Sequence, residues 1–361
     1  MRIVQLAETL EVGGLERMAV ALALAQQDAG HQVSFYCLFE AGPLRKELDE
    51  RGISVHEFHK PKVSHARLVW AMARQLRRDR ADVLHAHNPG VHPVAVAAKL
   101  LSGVSICVNT RHSAVNSQGV PYRERYFRLA GPFTDQVVFV CEDVRNRLLP
   151  RLRYRPEKCS VIWNGIATAS FFDRPASPGM CAPKIRFGTV GRLVPAKDHA
   201  LLIEAFAKIA GKYSGAELHI YGYGPLEQEL RERISRLGLE SRVTLEGRTD
   251  DAASALASLD VFVLSSVNEG LPLVILEAMA AGLPVVSTRI GGVPEVAPEH
   301  RVAWFCEAGD VDGLAQAMAE AAGGGELAAR GAAARRLAEQ YDLAQMAARY
   351  EALYGRLLAG R

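Results

Sequence analysis

Two successive series of alternating strand and helix patterns run along the chain, and this alternation constrains the fold more than any other feature. Strands that alternate with helices form right-handed βαβ units, which build a parallel sheet with helices on both faces. The first series ends near Trp163 and the second starts at Ile185. Residues 164–184 are rich in turn formers and lack periodicity, which is typical of an interdomain linker. The sequence therefore predicts two Rossmann-like α/β domains with a cleft between them.

Short runs rich in β-branched residues mark the predicted strands. In the first series they are residues 3–6, 33–38, 53–55, 82–86, 105–109, 136–140 and 160–163. In the second series they are residues 185–190, 217–221, 243–245, 260–264, 284–288 and 302–305. A last helical pattern follows the second series. These boundaries predict an N-terminal domain over 1–164, a second domain over 165–340 and a C-terminal helix over 341–361.

The net charge of +3 hides an asymmetry between the two halves of the chain. Residues 1–160 hold 23 Lys and Arg against 16 Asp and Glu, a balance of +7, and the rest holds 20 against 24, a balance of −4. Within the basic half, residues 67–80 form a helical pattern with Leu68, Met72 and Leu76 on one face and arginines around it. Such a helix can lie on an anionic membrane surface, or it can pack into a core and leave a solvated basic face.

Cysteine spacing and hydropathy indicate the cellular compartment in which the protein works. The six cysteines are widely spaced and form no C-x-x-C pair, which indicates a reduced cytosolic chain rather than a zinc site or a disulfide framework. The N-terminus predicts a strand rather than a signal peptide, and no apolar stretch is long enough to cross a bilayer. We therefore expect a cytoplasmic protein that could also act at the inner face of the membrane.

The segment 268–288, NEGLPLVILEAMAAGLPVVST, places two glutamates around the start of an apolar helix. Pro272 suits the first helical position, where the missing N–H is not needed. The free N–H groups at that helix end favour a phosphate, and helical side chains lean toward it, so Glu277 can point at the same ligand. With Glu269 before the helix, the pattern predicts a site for a phosphate flanked by hydroxyl-rich groups. A Glu277 that bonds a neighbouring arginine or backbone group is the alternative.

Other strand-to-helix loops carry residues suited to an anionic ligand. Arg192 and Lys197 in GTVGRLVPAKDH could grip a diphosphate, and two solvated loop charges are the alternative. Gly13 and Gly14 permit close backbone approach at a helix start, and Gly222 lies in a similar turn. The pattern is not G-x-G-x-x-G and no acidic residue clearly ends the second strand, so a dinucleotide site has little support.

Two patterns are similar to metal sites. GDVDG contains Asp310 and Asp312 in an Asp-x-Asp arrangement, but Asp310 also suits the N-cap of the following helix. HAHNPGVH holds His85, His87 and His92 at a strand end and in a loop, without a carboxylate nearby in the sequence. We expect no metal at either pattern, and lining of an acceptor site is a second interpretation of the histidines.

The motifs occur in an order that resembles a known enzyme family. In chain order they are GGLERMAVALA, NTRHS, FVCED, WNGI, GRLVPAKD, IYGYGP and EGLPLVILEAMAAGLPVVSTRIGGVPE. This series resembles the retaining GT-B glycosyltransferases of family 4 (glycosyl transferases group 1) from end to end, most specifically in the E-x7-E spacing of Glu269 and Glu277. The resemblance implies the GT-B fold, in which two Rossmann-like domains with parallel sheets face a central cleft and the C-terminal helix crosses back to the N-terminal domain. Cys141 in VCED departs from the family, which often has Ser there, and would alter a local hydrogen bond.

The resemblance also implies a site for a nucleotide-sugar donor. Glu277 would bond the ribose hydroxyls, and Glu269 would contact the hydroxyls of the transferred sugar. Arg192 and Lys197 would bind the diphosphate during catalysis. The backbone amides that would assist them belong to Gly270, Leu271 and Leu273.

Further family positions fall on both predicted domains. Gly14 would approach the phosphate and the acceptor, and Gly222 would belong to the donor site. Backbone near Gly247 and Arg248 would meet the base. His112 in NTRHS matches the family histidine beside the reacting sugar, where it would orient or polarise the reacting groups.

The implied reaction moves a sugar from a nucleotide-sugar, a UDP-sugar on family frequency, to an acceptor hydroxyl with retention of configuration. Arg192, Lys197 and the helix N-termini would stabilise the leaving diphosphate in place of a metal ion, and no cofactor is implied. The expected setting is bacterial surface-polysaccharide, lipopolysaccharide or glycolipid assembly, with a glycan or lipid-linked acceptor and no nucleic acid. The alternatives are a soluble small-molecule acceptor, a GT-B nucleotide-sugar epimerase, a catalytically idle sugar-nucleotide sensor and an NAD-dependent dehydrogenase.

Overall fold

The computed structural model describes residues 1–113, 121–152, 154–172 and 184–361. These residues form two compact units. The first unit holds Met1–Gly165 together with Leu343–Arg361, and the second holds Ile166–Asp342. Much of the predicted linker, residues 173–183 with Cys181, lies outside the described residues.

The first unit is built on a parallel sheet. Its strands are β1 (Arg2–Ala7), β2 (Gln32–Cys37), β3 (Ser54–Glu57), β4 (Val83–His87), β5 (Ile106–Arg111), β6 (Gln136–Phe139) and β7 (Cys159–Val161). Its helices are α1 (Gly14–Asp28), α2 (Arg45–Glu50), α3 (His65–Arg78), α4 (His92–Ser102), α5 (Pro121–Ala130), α6 (Glu142–Leu152) and the last helix of the chain, α15 (Leu343–Ala359). The strand order is β3-β2-β1-β4-β5-β6-β7, and all neighbours are parallel.

The second unit repeats this architecture. Its strands are β8 (Ile185–Val190), β9 (Ala216–Tyr221), β10 (Val243–Gly247), β11 (Val261–Leu264), β12 (Val285–Thr288) and β13 (Ala303–Cys306). Its helices are α7 (Ala169–Phe172), α8 (His199–Ala210), α9 (Glu227–Arg236), α10 (Ala252–Ala257), α11 (Leu273–Ala280), α12 (Val293–Val296), α13 (Val311–Gly323) and α14 (Leu327–Ala338). The strand order is β10-β9-β8-β11-β12-β13, again wholly parallel.

Every predicted strand overlaps a strand of the structure, which confirms two α/β units with parallel sheets. The reason is local: a parallel sheet is covered on both faces, so its strands are nearly continuous apolar runs that stand out in the sequence. The strand residues of β4, β5, β6, β11 and β12 are buried throughout. α15 packs against α1 and β5, so the C-terminal helix belongs to the first unit as expected.

Aspartates at helix starts support the second unit. Asp198, Asp251 and Asp310 are the N-cap residues of α8, α10 and α13, and each side chain accepts a hydrogen bond from the backbone N–H of the third residue of its helix. The predicted capping role of Asp310 is confirmed: its Oδ1 lies 2.9 Å from the Gly313 nitrogen. Asp312 pairs with Lys208 instead, at 2.8 Å.

The apolar face of α3 is not a free surface. Leu68, Met72 and Leu76 are buried in the core beneath the helix, together with residues of β4 and α4. Of the two interpretations of this helix, the structure supports packing into the core, and this burial leaves the basic face and Trp70 exposed. Of the helices described, none has the length and apolar character needed to cross a bilayer.

The histidines of HAHNPGVH lie in the core of the first unit. His85, His87 and His92 are all buried, and His92 Nε2 lies 2.8 Å from the Thr134 hydroxyl. Burial lowers the pKa of His87 and of His92 from 6.5 to about 3, because the charged imidazolium would lose its hydration. Neutral, hydrogen-bonded rings in a core cannot line an exposed acceptor surface. Among the residues described, no three His, Cys, Asp or Glu side chains form a group that could hold a metal ion.

These buried rings predict an acid-sensitive fold. A histidine in the unfolded chain has a pKa of about 6.5. Below that pH the unfolded chain binds protons that the buried rings of the folded chain do not bind, so the free energy of unfolding falls as pH falls. Each such histidine is expected to lower the free energy of unfolding by about 1.4 kcal/mol at one pH unit below that value. His92→Gln should remove about that much of the difference in urea unfolding between pH 7.5 and pH 5.5. His65→Gln, at an exposed position, is the control, and equal pH dependence in both variants would contradict the prediction.

Candidate functional site

The second sheet has a topological switch point between β8 and β11. Strand order runs from β8 through β9 to β10 on one side and from β11 through β12 to β13 on the other. β8 pairs directly with β11, with Phe187 opposite Val261. Ligands of open parallel sheets bind beyond the carboxyl ends of strands at such a point, because the flanking crossovers diverge there. The loops that follow β8 and β11 therefore form the candidate site.

A Lys–Glu ion pair joins these two loops. Lys197 Nζ lies 2.5 Å from Glu269 Oε1, and each side chain is 20% exposed. The Ser266 hydroxyl donates to the same carboxylate oxygen at 3.2 Å. The structure thus brings together two residues that the sequence assigned to one site. A ligand that reaches Lys197 meets an ammonium already held in place, with a carboxylate beside it.

Backbone contacts hold the two loops in register. The Ser265 hydroxyl donates to the Lys197 carbonyl at 2.8 Å, and the Val267 nitrogen donates to the Ala196 carbonyl at 3.0 Å. Ser265 and Ser266 were missed by the sequence analysis. Their signal was available, since two serines directly follow a wholly apolar strand and both are buried.

Arg192 lies on the same loop but is exposed to solvent. Its neighbours fix the backbone: the Gly191 nitrogen donates to the Tyr221 carbonyl and the Leu193 nitrogen to the Tyr223 carbonyl, both at 2.9 Å. A Cβ added to Gly222 would lie 1.8 Å from the Gly191 carbonyl oxygen. Gly222 is therefore required for loop packing, whatever contact it makes with a ligand.

Helix α11 begins at this site. Pro272 is the extended N-cap residue, so the helix starts at Leu273, one residue later than predicted. Leu271 is buried, and the Gly270 carbonyl accepts a hydrogen bond from the Gly292 nitrogen at 2.7 Å. Glu277 is half-buried about one turn into a helix whose other side chains are mostly buried and apolar. The first amides of the helix have no earlier helical carbonyl to bond, which suits them to a phosphate oxygen.

Arg248 lies farther along the sheet than the other predicted donor residues. It follows β10, so β9 and β8 stand between it and β11. Its side chain is exposed, pairs with Asp250 at 3.0 Å and lies 5.4 Å from the centre of the Tyr223 ring. The ring of Tyr223 is 41% exposed and offers a flat face that the sequence analysis did not single out.

Gly14 is the first residue of α1 in the first unit, after Gly13 as the N-cap. A Cβ added to Gly14 would meet no atom of the described chain within 4 Å, and Gly14 is exposed. Packing therefore does not explain a glycine here, whereas close approach of a ligand would.

His112 directly follows β5 and is held from two sides. Its backbone nitrogen donates to Asn88 Oδ1 at 3.2 Å, and its Nε2 lies 3.2 Å from His87 Nδ1. Burial lowers the pKa of His112 well below its ordinary value, with His87 and Arg111 adding to the shift, so the ring is neutral. Asn88 has a left-handed backbone (φ 67°), a strained conformation that persists where surrounding structure requires it. The sequence analysis missed Asn88.

Two sequence models identify the class of protein that these sheets and loops build, a GT-B glycosyltransferase. The sequence model "Glycosyltransferase Family 4" matches residues 12–170, and the model "Glycosyl transferases group 1" matches residues 184–323. The two models together span most of both units. The chain belongs to glycosyltransferase family 4.

Relatives differ in what their names say they act on. The chain is 28% identical to N-acetyl-alpha-D-glucosaminyl L-malate synthase of Bacillus anthracis, over 95% of this chain and 94% of that one. It is 27% identical to UDP-Gal:alpha-D-GlcNAc-diphosphoundecaprenol alpha-1,3-galactosyltransferase of Escherichia coli, over 77% of each chain. It shares its fold with Anabaena Alr3699/HepE, solved in complex with UDP, at a TM-score of 0.86, 21% identity and coverage of 99% and 100%.

The close packing of the site loops predicts that Gly222 does not tolerate a side chain. Gly222→Ala should lose about 1–3 kcal/mol of stability through overpacking against the Gly191 carbonyl. Gly211→Ala is the matched control, because its Cβ would meet nothing within 4 Å. Urea unfolding of both variants checks this, and equal midpoints would show that the loops adapt without cost.

Proposed function

We propose that the protein is a retaining, metal-independent glycosyltransferase that moves a sugar from a nucleotide-sugar donor to an acceptor hydroxyl. The observation that carries this proposal is the Lys197–Glu269 pair at the switch point, beside the N-terminus of α11. A cation, a carboxylate and free helix amides within one crevice suit a ligand that combines a diphosphate with sugar hydroxyls.

Each donor group has a partner in this proposal. Lys197, Arg192 and the amides at the start of α11 bind the diphosphate, with backbone from Gly270 to Leu273 contributing. Glu277 accepts hydrogen bonds from the ribose hydroxyls, and Glu269 from the transferred sugar. Backbone next to Arg248 meets the base. As the bond to the sugar breaks, negative charge grows on the diphosphate, and fixed cations lower the energy of that state as a metal ion would.

Retention of configuration follows in this proposal from a reaction on one face of the sugar. The Glu269 carboxylate already accepts from Lys197 and Ser266, which makes it a weak nucleophile. The departing phosphate is then the base that takes the proton of the acceptor hydroxyl, while an oxocarbenium-like sugar passes between them. The neutral ring of His112 orients the reacting hydroxyl groups.

We propose UDP as the nucleotide. Support comes from family frequency and from Anabaena HepE, whose solved complexes contain UDP and UDP-glucose.

We propose a lipid-linked glycan as the acceptor, reached at an anionic membrane surface. Five exposed apolar side chains lie on or directly after α3, α4 and α5, and we call them the α3–α5 surface: Trp70, Leu100, Leu101, Leu129 and Phe133. Trp70 is 60% exposed. Apolar residues rimmed by cations suit the interface of an anionic bilayer.

Basic residues lie within the α3–α5 surface. The Arg74 guanidinium stands 5.5 Å from the centre of the Trp70 ring, and Arg77 donates to the Leu101 carbonyl. The relative from Escherichia coli, whose named substrate is a diphosphoundecaprenol-linked sugar, adds support.

A soluble small-molecule acceptor is the second candidate. The Bacillus anthracis relative is named for synthesis of a glucosaminyl malate, and it matches nearly the whole chain. A transferase of this fold therefore need not act at a membrane.

Donor binding gives the first test of the function. Glu277→Gln should weaken the binding of UDP about 10- to 100-fold, which is the loss expected for a charge-assisted hydrogen bond of about 1.5–3 kcal/mol. Calorimetry with UDP, GDP and ADP in EDTA measures it, and Glu232→Gln, on an exposed face of α9, should bind like the unchanged protein. Transfer should persist in EDTA and be lost in Lys197→Ala. If Glu277→Gln bound every nucleotide as tightly as the unchanged protein, the donor site would be rejected. Activity that EDTA abolishes and Mg²⁺ or Mn²⁺ restores would reject metal independence.

The acceptor is tested with vesicles and a substrate screen. The protein should bind vesicles that contain anionic lipid, dissociate from them as the salt concentration rises, and not bind neutral vesicles. Trp70→Ser should weaken binding about 10-fold, whereas Leu237→Ser, exposed in the second unit, should not. Comparison of lipid-linked saccharides with free sugars and small acids as acceptors completes the test. Efficient transfer to a soluble acid without vesicle binding would favour the second candidate.

A further inference from the structure

A chain of hydrogen bonds runs through the core of the first unit from α15 to His112. It begins at Tyr350, whose hydroxyl lies 2.9 Å from the Thr110 hydroxyl. Thr110 lies 2.7 Å from His85 Nε2, and His85 Nδ1 lies 2.7 Å from the Tyr354 hydroxyl. All four of these side chains are buried.

Two glutamines continue the chain from Tyr354. Gln26 Nε2 donates to the Tyr354 hydroxyl at 3.5 Å, and Gln26 Oε1 accepts from Gln5 Nε2 at 2.7 Å. Gln5 Oε1 lies 2.8 Å from His87 Nε2, and His87 Nδ1 lies 3.2 Å from His112 Nε2. The chain of hydrogen bonds therefore ends at His112, the histidine that orients the reacting hydroxyl groups in the proposed function.

Donor and acceptor chemistry gives this chain a direction. Gln5 Oε1 can only accept, so His87 Nε2 carries a hydrogen. His87 is neutral, since burial lowers its pKa to about 3, so its Nδ1 has a lone pair and no hydrogen. His112 Nε2 must then donate to it. Because His112 is also neutral, its proton sits on Nε2 and its Nδ1 is left as an acceptor.

We propose that α15 fixes the tautomer of His112 through Tyr354, Gln26, Gln5 and His87, so that Nδ1 is held ready to accept a hydrogen bond from a substrate hydroxyl. The role of Nδ1 toward substrate rests on the proposed function, whereas the tautomer itself does not. His87, Gln5, Gln26 and Tyr354 are positioning residues, because each acts on His112 through its neighbour.

Tyr354 and Tyr350 differ in a way that makes the proposal testable. They lie one turn apart on α15, and both are fully buried hydroxyl donors or acceptors. Tyr354 stands between His85 and Gln26, whereas Tyr350 stands at the outer end of the chain, beyond Thr110. Without the Tyr354 hydroxyl, Gln26 Nε2 loses the acceptor of its hydrogen bond. The side-chain amides of Gln26 and Gln5 can then flip together. The reversed chain would place the proton of His112 on Nδ1.

The experiment reads the ring nitrogens of His112 by NMR in protein labelled with ¹⁵N-histidine, with His112→Gln used to assign the signals. The full-length protein without ligand should show the Nε2–H form. Tyr350→Phe should leave it unchanged, and Tyr354→Phe should give a mixture of both tautomers. Gln26→Met, which keeps the side-chain length, should give the same mixture and serves if Tyr354→Phe does not fold. An Nδ1–H form in the unchanged protein, or an unaltered signal in both Tyr354→Phe and Gln26→Met, would overturn the proposal.

Kinetics separate this proposal from the proposed function. If transfer requires the Nε2–H form, kcat of Tyr354→Phe should fall in proportion to the fraction lost, about two-fold for an even mixture, with unchanged affinity for UDP. Tyr350→Phe should keep its kcat. The expected spectra in a protein that transfers no sugar would uphold the tautomer and reject the glycosyl-transfer mechanism.

Discussion

The pairing of β8 with β11 is the constraint on which the candidate site depends. The chain adds β9 and β10 on one side of β8, then returns to place β11 on the other. Crossovers on the two sides diverge, so a crevice opens where the strands end. The loops of Lys197 and Glu269, 72 residues apart in sequence, meet there. The Lys197–Glu269 ion pair, the contacts of the two serines and the position of the start of α11 all follow from that one strand order.

The two units handle buried polarity differently. In the second unit, opposite charges on Lys197 and Glu269 compensate each other and remain partly solvated, so they stay available to a charged ligand. In the first unit, the buried histidines of the core carry no charge. Burial lowers the pKa of His85, His87 and His112, so the rings are neutral and each offers its neighbours one donor and one acceptor nitrogen. The second unit thus keeps a partly solvated ion pair at the ends of its strands, whereas the first holds neutral rings in a buried hydrogen-bond network.

Local chemistry explains which residues could be predicted. Each strand has its own apolar run, Asp310 caps the helix that it precedes, and Glu269 and Glu277 flank one helix start. Partners distant in sequence could not be predicted in this way. Gln5 and His87 lie 82 residues apart, and Gln26 meets a tyrosine 328 residues away. No periodicity links such residues, because only the packing of β1, α1, β4 and α15 brings them together.

The sequence by itself determined the two parallel sheets, the family and the motif residues that carry the resemblance to that family. Each of these depends on a short pattern that is complete within one segment. The tertiary structure decided what each pattern faces. The apolar stripe of α3, with Leu68 and Met72, is amphipathic in the sequence whether a membrane or a core covers it. The structure buries it against β4, so the exposed face is the basic one with Trp70. A helical period records which side is apolar, and only the fold supplies the partner that removes that side from water.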